Sequence, residues 1–226
     1  MAEEMKSVPR GVVVEFDFTA VDGAQVLFDV AKKVLAPKGV ELTAKLEALH
    51  LVGGNYQGAL RELFETVGVQ ADAAAVAQEL GEAFRAALAE RIPAAVTPGF
   101  KAFVKALANR GLKVVIATRA DLEQVKPAFA DLASDRVVPY AEPSNTYGNC
   151  KWDAWRRACS QNGLVNMLTV AVTGSGKGVK SALVAGMSAL AVVHDHVAYQ
   201  DFGGADAVVE TFDAKLADEV LRMLHL

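Results

Sequence analysis

The chain has 226 residues, 52% of them hydrophobic and 22% charged, with a formal net charge of −4. That composition excludes a disordered chain, and the lack of any basic excess argues against nucleic acid as a partner. A chain of this length buries enough surface to stand without disulfides or a structural metal, as one α/β domain or a core carrying a smaller insert.

In chain order, the opening MAEEMKSVPRG carries two acidic and two basic residues and lacks the apolar stretch of a signal peptide. Gly11 to Asp17 (GVVVEFD) is a short β-branched block, expected to be a buried strand. From about Asp22 to Ile92 the pattern changes to helical. Leu60, Leu63 and Phe64 recur at i, i+3, i+4, Ala71 to Arg91 is alanine-rich, and Gly53-Gly54 and Gly68 punctuate the stretch. An insertion of roughly 70 residues is too long for a loop and is expected to be a small helical cap. Thr97-Pro98-Gly99 then opens an amphipathic helix (Phe100, Phe103, Val104, Leu107).

Strand-like runs resume at Leu112 to Thr118, Leu168 to Thr173 and Ala189 to His194, with weaker candidates at Arg136 to Pro139 and Ala207 to Glu210. Helices are expected over Leu122 to Leu132, Lys151 to Asn162, Lys177 to Ala185 and Lys215 to Leu224. Each strand feeds a helix, the pattern of right-handed parallel βαβ units. The expected fold is therefore α/β, a doubly wound and mostly parallel sheet. Its core would comprise residues 1–21 and 95–226, with the cap at 22–94. The longest apolar run, Ala182 to Val193, contains Gly186 and Ser188 and falls short of the roughly 20 residues a bilayer span needs. Cys150 and Cys159 stand nine apart in one predicted helix, about 13.5 Å along its axis and beyond disulfide reach. A soluble protein of the cytoplasm is the expected setting.

Four motifs follow one another at suitable spacing. The first reads Glu15-Phe16-Asp17-Phe18-Thr19-Ala20-Val21-Asp22, directly after the first strand. The second is Val114-Val115-Ile116-Ala117-Thr118, a strand ending in a hydroxyl residue. The third is Lys151 at a helix start. The fourth is Val170-Ala171-Val172-Thr173-Gly174-Ser175-Gly176-Lys177-Gly178-Val179, running on to Ala185-Gly186-Met187. This arrangement resembles the capped haloacid dehalogenase superfamily, in its phosphoglycolate phosphatase and β-phosphoglucomutase branch, over nearly the whole chain. The resemblance implies a Rossmann-type core and phosphoryl transfer. In that chemistry the first aspartate is the nucleophile, the second the general acid/base, and magnesium neutralises the phosphate oxygens.

The chain departs from that pattern at the acids. Glu15 stands where the family has its nucleophilic aspartate, Phe18 replaces the turn glycine, and Thr173 and Gly174 replace the acidic pair of the fourth motif. A carboxylate nucleophile must lie in line near its phosphorus, and an error of about 1 Å costs on the order of 100-fold. Magnesium asks for octahedral oxygen ligation, usually with one or two carboxylates. The expected protein is a catalytically degenerate member that serves as a binding, regulatory or structural subunit and needs no cofactor. The alternative is an altered hydrolase on a small phosphorylated metabolite, with Glu15 as nucleophile or water-activating base, Asp17 as acid/base, and magnesium required. Thr118 and Lys151 remain candidate phosphate or anion ligands at the carboxyl ends of the strands. Equally, Lys151 is available to pair with Glu15 or Asp17 and neutralise the pocket. The partner would be a small anion or phosphometabolite, or another protein.

Other patterns carry less. Ala171 to Gly178 imitates a P-loop but has Ala171 in place of its first glycine and Gly178 where the magnesium-binding hydroxyl belongs. His194 and His196 alternate on an extended segment and so point apart. Asp213 is expected to cap the last helix.

Overall fold

In the computed structural model, which describes residues 9–92, 96–132, 134–141 and 151–226, the β-branched runs form the middle of a parallel sheet. Strand β1 (Gly11–Glu15) is buried along its length. It pairs with β2 (Lys113–Thr118) on one side and β4 (Thr169–Thr173) on the other. Beyond them lie β3 (Val137–Ala141), β5 (Ser188–Val192) and β6 (Ala207–Val209), in the order β3-β2-β1-β4-β5-β6 with every strand pairing parallel. The expected doubly wound sheet is therefore present. Its order reverses between β1 and β4, and ligands of open α/β sheets bind in the crevice beyond such a switch point. Glu15 and Thr173 end those two strands.

Alternation along β1 feeds two layers of core. Val12 and Val14 join the cluster that holds Phe16, Phe100 and Phe103, whereas Val13 joins Val115, Trp155 and Cys159 on the opposite face. Each of these buried valines contributes roughly 1.5–3 kcal/mol. Helices α6 (Phe100–Asn109) and α10 (Leu216–Met223) pack together, and α8 (Lys151–Gln161) packs with α9 (Gly176–Val184). The carboxylate of Asp213 accepts from Leu216 N at 2.8 Å, at the first residue of α10, but the N-cap position itself is held by Lys215.

Two expected elements change form. The first strand stops at Glu15, and Phe16–Thr19 wind into a single helical turn, α1, instead of extending the strand to Asp17. The turn carries the Phe16 ring onto Phe129 and Phe100, with centroids 4.8 and 5.7 Å apart. Thr19 Oγ1 also donates to the carbonyl of Glu15 at 2.6 Å. The helix expected over Leu122 to Leu132 is a short α7 (Leu122–Val125) followed by a 3-10 segment, Lys126–Leu132. Pro127 lies at that change, where it lacks an N–H and crowds the carbonyl four residues back.

Between α1 and β2 the described residues form helices: α2 (Gly23–Leu35), α3 (Ala44–His50), α4 (Tyr56–Val67) and α5 (Ala73–Arg91). Asp22, Thr43, Asn55 and Asp72 each accept a backbone N–H at the start of one of them, a cap worth about 1 kcal/mol. Helices α2 and α4 both pack on α5, burying Leu27, Leu60, Leu63, Leu80 and Leu88. These helices make the cap, which sits over the carboxyl ends of the strands. Among the described residues no helix is long and apolar enough to cross a membrane.

Candidate functional site between core and cap

The ends of β1, β2 and β4 bring the motif residues together. Asp17, on α1, is almost wholly buried and both its oxygens are used: Thr118 Oγ1 donates to one at 2.6 Å and Arg119 N to the other at 2.7 Å. Thr118 Oγ1 in turn accepts from Ala120 N at 3.0 Å. Burial pushes the Asp17 carboxyl up to about 6. The two hydrogen bonds and the Arg119 charge pull it down less than burial raises it, and Glu15 adds to the rise.

Glu15 lies beside it. Its Oε2 accepts from Thr173 Oγ1 at 2.5 Å and from Gly174 N at 3.4 Å. The residues that replace the family's acids thus act as hydrogen-bond donors to the carboxylate of the first motif. Gly174 has no room to be anything else, because a β-carbon there would stand 1.8 Å from the carbonyl oxygen of Phe18.

Beside this carboxylate pair the packing between core and cap is aromatic. The Phe18 ring stacks on Phe84 of α5, centroids 5.8 Å apart and 22° from parallel. Tyr56 of α4 meets the same Phe84 edge-on at 6.5 Å. The Arg119 guanidinium lies over the faces of Phe18 and Tyr56, at 5.8 and 6.0 Å, a cation–π geometry.

The cap is also fastened to the fourth motif. Lys177 Nζ donates to the carbonyl of His50 at 2.7 Å, capping the end of α3. Gln200 Nε2 donates to the carbonyls of Ala48 and Val52, while its Oε1 accepts from Gly176 N at 2.6 Å. Gly53, at φ +73°, approaches so closely that a β-carbon would lie 2.2 Å from Ser175 Oγ. These contacts account for the P-loop-like stretch as well. Gly176 N goes to Gln200 and Gly178 N to Ser175 Oγ at 3.0 Å, so neither amide is aimed at a phosphate.

Of the four residues singled out in the sequence, Glu15, Asp17 and Thr118 meet at one point, and the hydroxyl of Thr118 is given to Asp17. Lys151 opens α8, but its side chain lies outside the described residues, as does Cys150. Cys159 is a buried free thiol. His194 Nε2 approaches the carbonyl of Thr19 at 3.3 Å and His196 Nε2 approaches Gln25 Oε1 at 2.5 Å, so the two serve separate contacts. Among the described residues no group of three or more His, Cys, Asp or Glu is placed to hold a metal ion.

The family model for haloacid dehalogenase-like hydrolases matches residues 12–192, spanning all four motifs. The chain belongs to this family. No curated protein matches it. Among solved structures, β-phosphoglucomutase from Clostridium difficile is similar at 14% identity and a TM-score of 0.74, covering 96% of this chain and 97% of that one. A phosphonoacetaldehyde hydrolase-like protein from Oleispira antarctica reaches 0.76 at 14% identity, over 97% and 94% of the two chains. CbbY from Rhodobacter sphaeroides, in complex with phosphate, gives 0.67 at 19% identity over 96% and 100%. At these identities the likeness establishes a shared capped fold.

For a haloacid dehalogenase-like hydrolase, magnesium is the metal the family implies. The residues here do not fit it. Both Asp17 oxygens and Glu15 Oε2 already accept hydrogen bonds. Positions 173 and 174 supply a hydroxyl turned to Glu15 and a glycine whose side-chain space is filled.

Sequence reasoning flagged Phe18 only as a lost glycine and missed Phe84, Tyr56, Arg119 and Gln200, because their roles depend on contacts between the cap and the core. It also missed Glu47 of α3, which has no exposure and no hydrogen-bond partner for either carboxylate oxygen among the described residues.

Proposed function

We propose that this chain is a haloacid dehalogenase-like protein without magnesium-dependent phosphoryl transfer, working in the cytoplasm as a binding, regulatory or structural subunit. The observation that carries the reading is the Phe18 carbonyl at Gly174, which closes the place of a metal-binding acid. The anion position is also filled from within, since the Asp17 carboxylate takes the Thr118 hydroxyl and the Arg119 amide that a phosphate would use. Its partner is then another protein or a small anion.

The test is phosphatase turnover with magnesium present or chelated, beside Glu15→Ala and Asp17→Asn. Turnover absent, or unchanged by the variants, is the expected result. Magnesium-dependent turnover that both variants abolish would overturn the reading.

A second reading is favoured by Asp17 alone. A carboxyl whose pKa is pushed up to about 6 holds a proton close to the pH at which a general acid works best. In an altered hydrolase Asp17 would protonate the leaving oxygen, and Glu15 would attack or activate water. Its hydrogen bonds to Thr173 and Gly174 N stabilise the carboxylate and make it a weaker nucleophile. No hydrolysis across a panel of phosphorylated metabolites with several divalent ions would dispose of this reading.

A further inference from the structure

Glu47 is the buried charge that the site does not use. It sits in the middle of α3 with no exposed surface, whereas its neighbour Leu49 is 42% exposed. Both of its oxygens lack a hydrogen-bond partner among the described residues, and no cation there forms an ion pair with it. An ionised carboxylate left in that condition is strongly unfavourable, so the docked cap favours the neutral acid.

Its surroundings leave no other neutralising group. Burial pushes the Glu47 carboxyl up from 4.5 to about 8, and the charge of Asp22, the residue that caps α2, adds to the rise. From α4, Glu62 lies 3.8 Å from His50 Nδ1. From the 3-10 turn Asp195–Val197, which packs against α3, come Asp195 and His196, the latter held on Gln25. From α9, Lys177 places its ammonium on the carbonyl of His50. On α3 itself Lys45 is exposed. Glu47 also lies between the two points where the core grips α3, next to Ala48, whose carbonyl Gln200 holds, and three residues from His50, whose carbonyl Lys177 holds.

We propose that Glu47, set beside Asp22, is a proton-linked latch of the cap: α3 stays docked on the core while the carboxyl is neutral, and undocking releases its proton to water. The latch is independent of whether Glu15 turns anything over. The sign follows from linkage. The docked form binds a proton that the undocked form has lost at any pH between the two values, so docking weakens as pH rises from about 4.5 to about 8 and levels off above. Undocking uncovers the Phe18, Tyr56 and Phe84 faces together.

The test is amide hydrogen exchange of the full chain at several pH values from about 5 to 9, corrected for the intrinsic rate, with sheet amides of β1 and β2 as the reference for global unfolding. The opening constant of the α3 amides and of residues 51–56 should rise by close to tenfold per pH unit in the middle of the window, roughly 400-fold between pH 5 and pH 8, and then flatten. Glu47→Gln should hold it flat. Asp17, whose carboxyl titrates inside the same window, is controlled by Asp17→Asn, which should leave the α3 profile in place. Asp22→Asn keeps the helix cap and removes the neighbouring charge, so its total rise should be smaller. A flat wild-type profile, or a Glu47→Gln profile like that of the wild type, overturns the latch. Should Glu47→Gln fail to fold, Glu47→Met, which is neutral at every pH, takes its place: a rise like that of the wild type overturns the latch.

Discussion

The carbonyl oxygen of Phe18 occupies the space that a side chain at position 174 would need, 1.8 Å from where a β-carbon on Gly174 would stand. The obstacle is backbone, which cannot swing aside as a side-chain tip can. Gly174→Asp therefore restores the family's acid in the sequence but not in space. The variant is expected to lose about 3 kcal/mol, the upper end of the usual cost of overpacking, and to gain no turnover with magnesium. Urea unfolding and a phosphatase assay on the same sample check both; an unchanged midpoint would mean that α1 yields easily.

Thr173 offers a second test, since its hydroxyl donates to a buried carboxylate at 2.5 Å. Thr173→Val keeps the shape and removes the donor, leaving Glu15 Oε2 with the longer bond from Gly174 N. A loss of about 2 kcal/mol is expected, while Thr173→Ser should retain most of the stability. Equal stability of the valine and serine variants would show that this bond contributes nothing net.

The Asp17 carboxyl makes stability depend on pH. It is raised from 3.8 to about 6 in the folded chain, so between those values the folded state holds a proton that the unfolded state has lost. Stability from this group falls as pH rises from about 4 to about 6 and is level above, by on the order of 3 kcal/mol in total. Subtracting the profile of Asp17→Asn from that of the wild type should isolate this slope; parallel profiles would contradict it.

The aromatic joint is open to a double-mutant cycle. Phe84→Ala removes the ring that stacks on Phe18 and meets Tyr56, and should cost about 3–5 kcal/mol as a buried truncation. Arg119→Met keeps the packing over Phe18 and Tyr56 but removes the charge, with an expected loss of about 0.5–2 kcal/mol. Combined with Phe84→Ala it should cost less than the sum, because the two act on one cluster. Strict additivity would separate Arg119 from the joint.

Much of the fold was legible because its strands are buried on both faces and spell themselves out as runs of valine and isoleucine. Their ends were not, since a run buried throughout carries no period to show where it stops. Phe16 and Asp17 were read as strand for that reason, and only the rings of Phe100 and Phe129, far along the chain, explain why the chain turns at Glu15. In the site, Glu15, Asp17 and Thr118 could be named from the motifs, but not which groups would satisfy their oxygens. The exclusion at Gly174 depends on a contact with Phe18, more than 150 residues earlier in the chain. Glu47 defied the pattern outright. In AKLEALH the leucines mark the apparent apolar face, yet Glu47 is buried and Leu49 is not.

The position of β1 in the sheet bears on how the chain is made. Its partners are β2 and β4, so Val14 waits for Ile116 on one side and for Val172 on the other. At roughly 5–20 residues per second, the ribosome delivers Val172 about 10–30 s after Val14. Helices α2 to α5 close largely on one another and can collapse during that interval, while the valine run of β1 lacks first both strand partners and then, once β2 has emerged, still β4. Such a segment is a natural docking point for holdase chaperones and a seed for aggregation if synthesis outruns them.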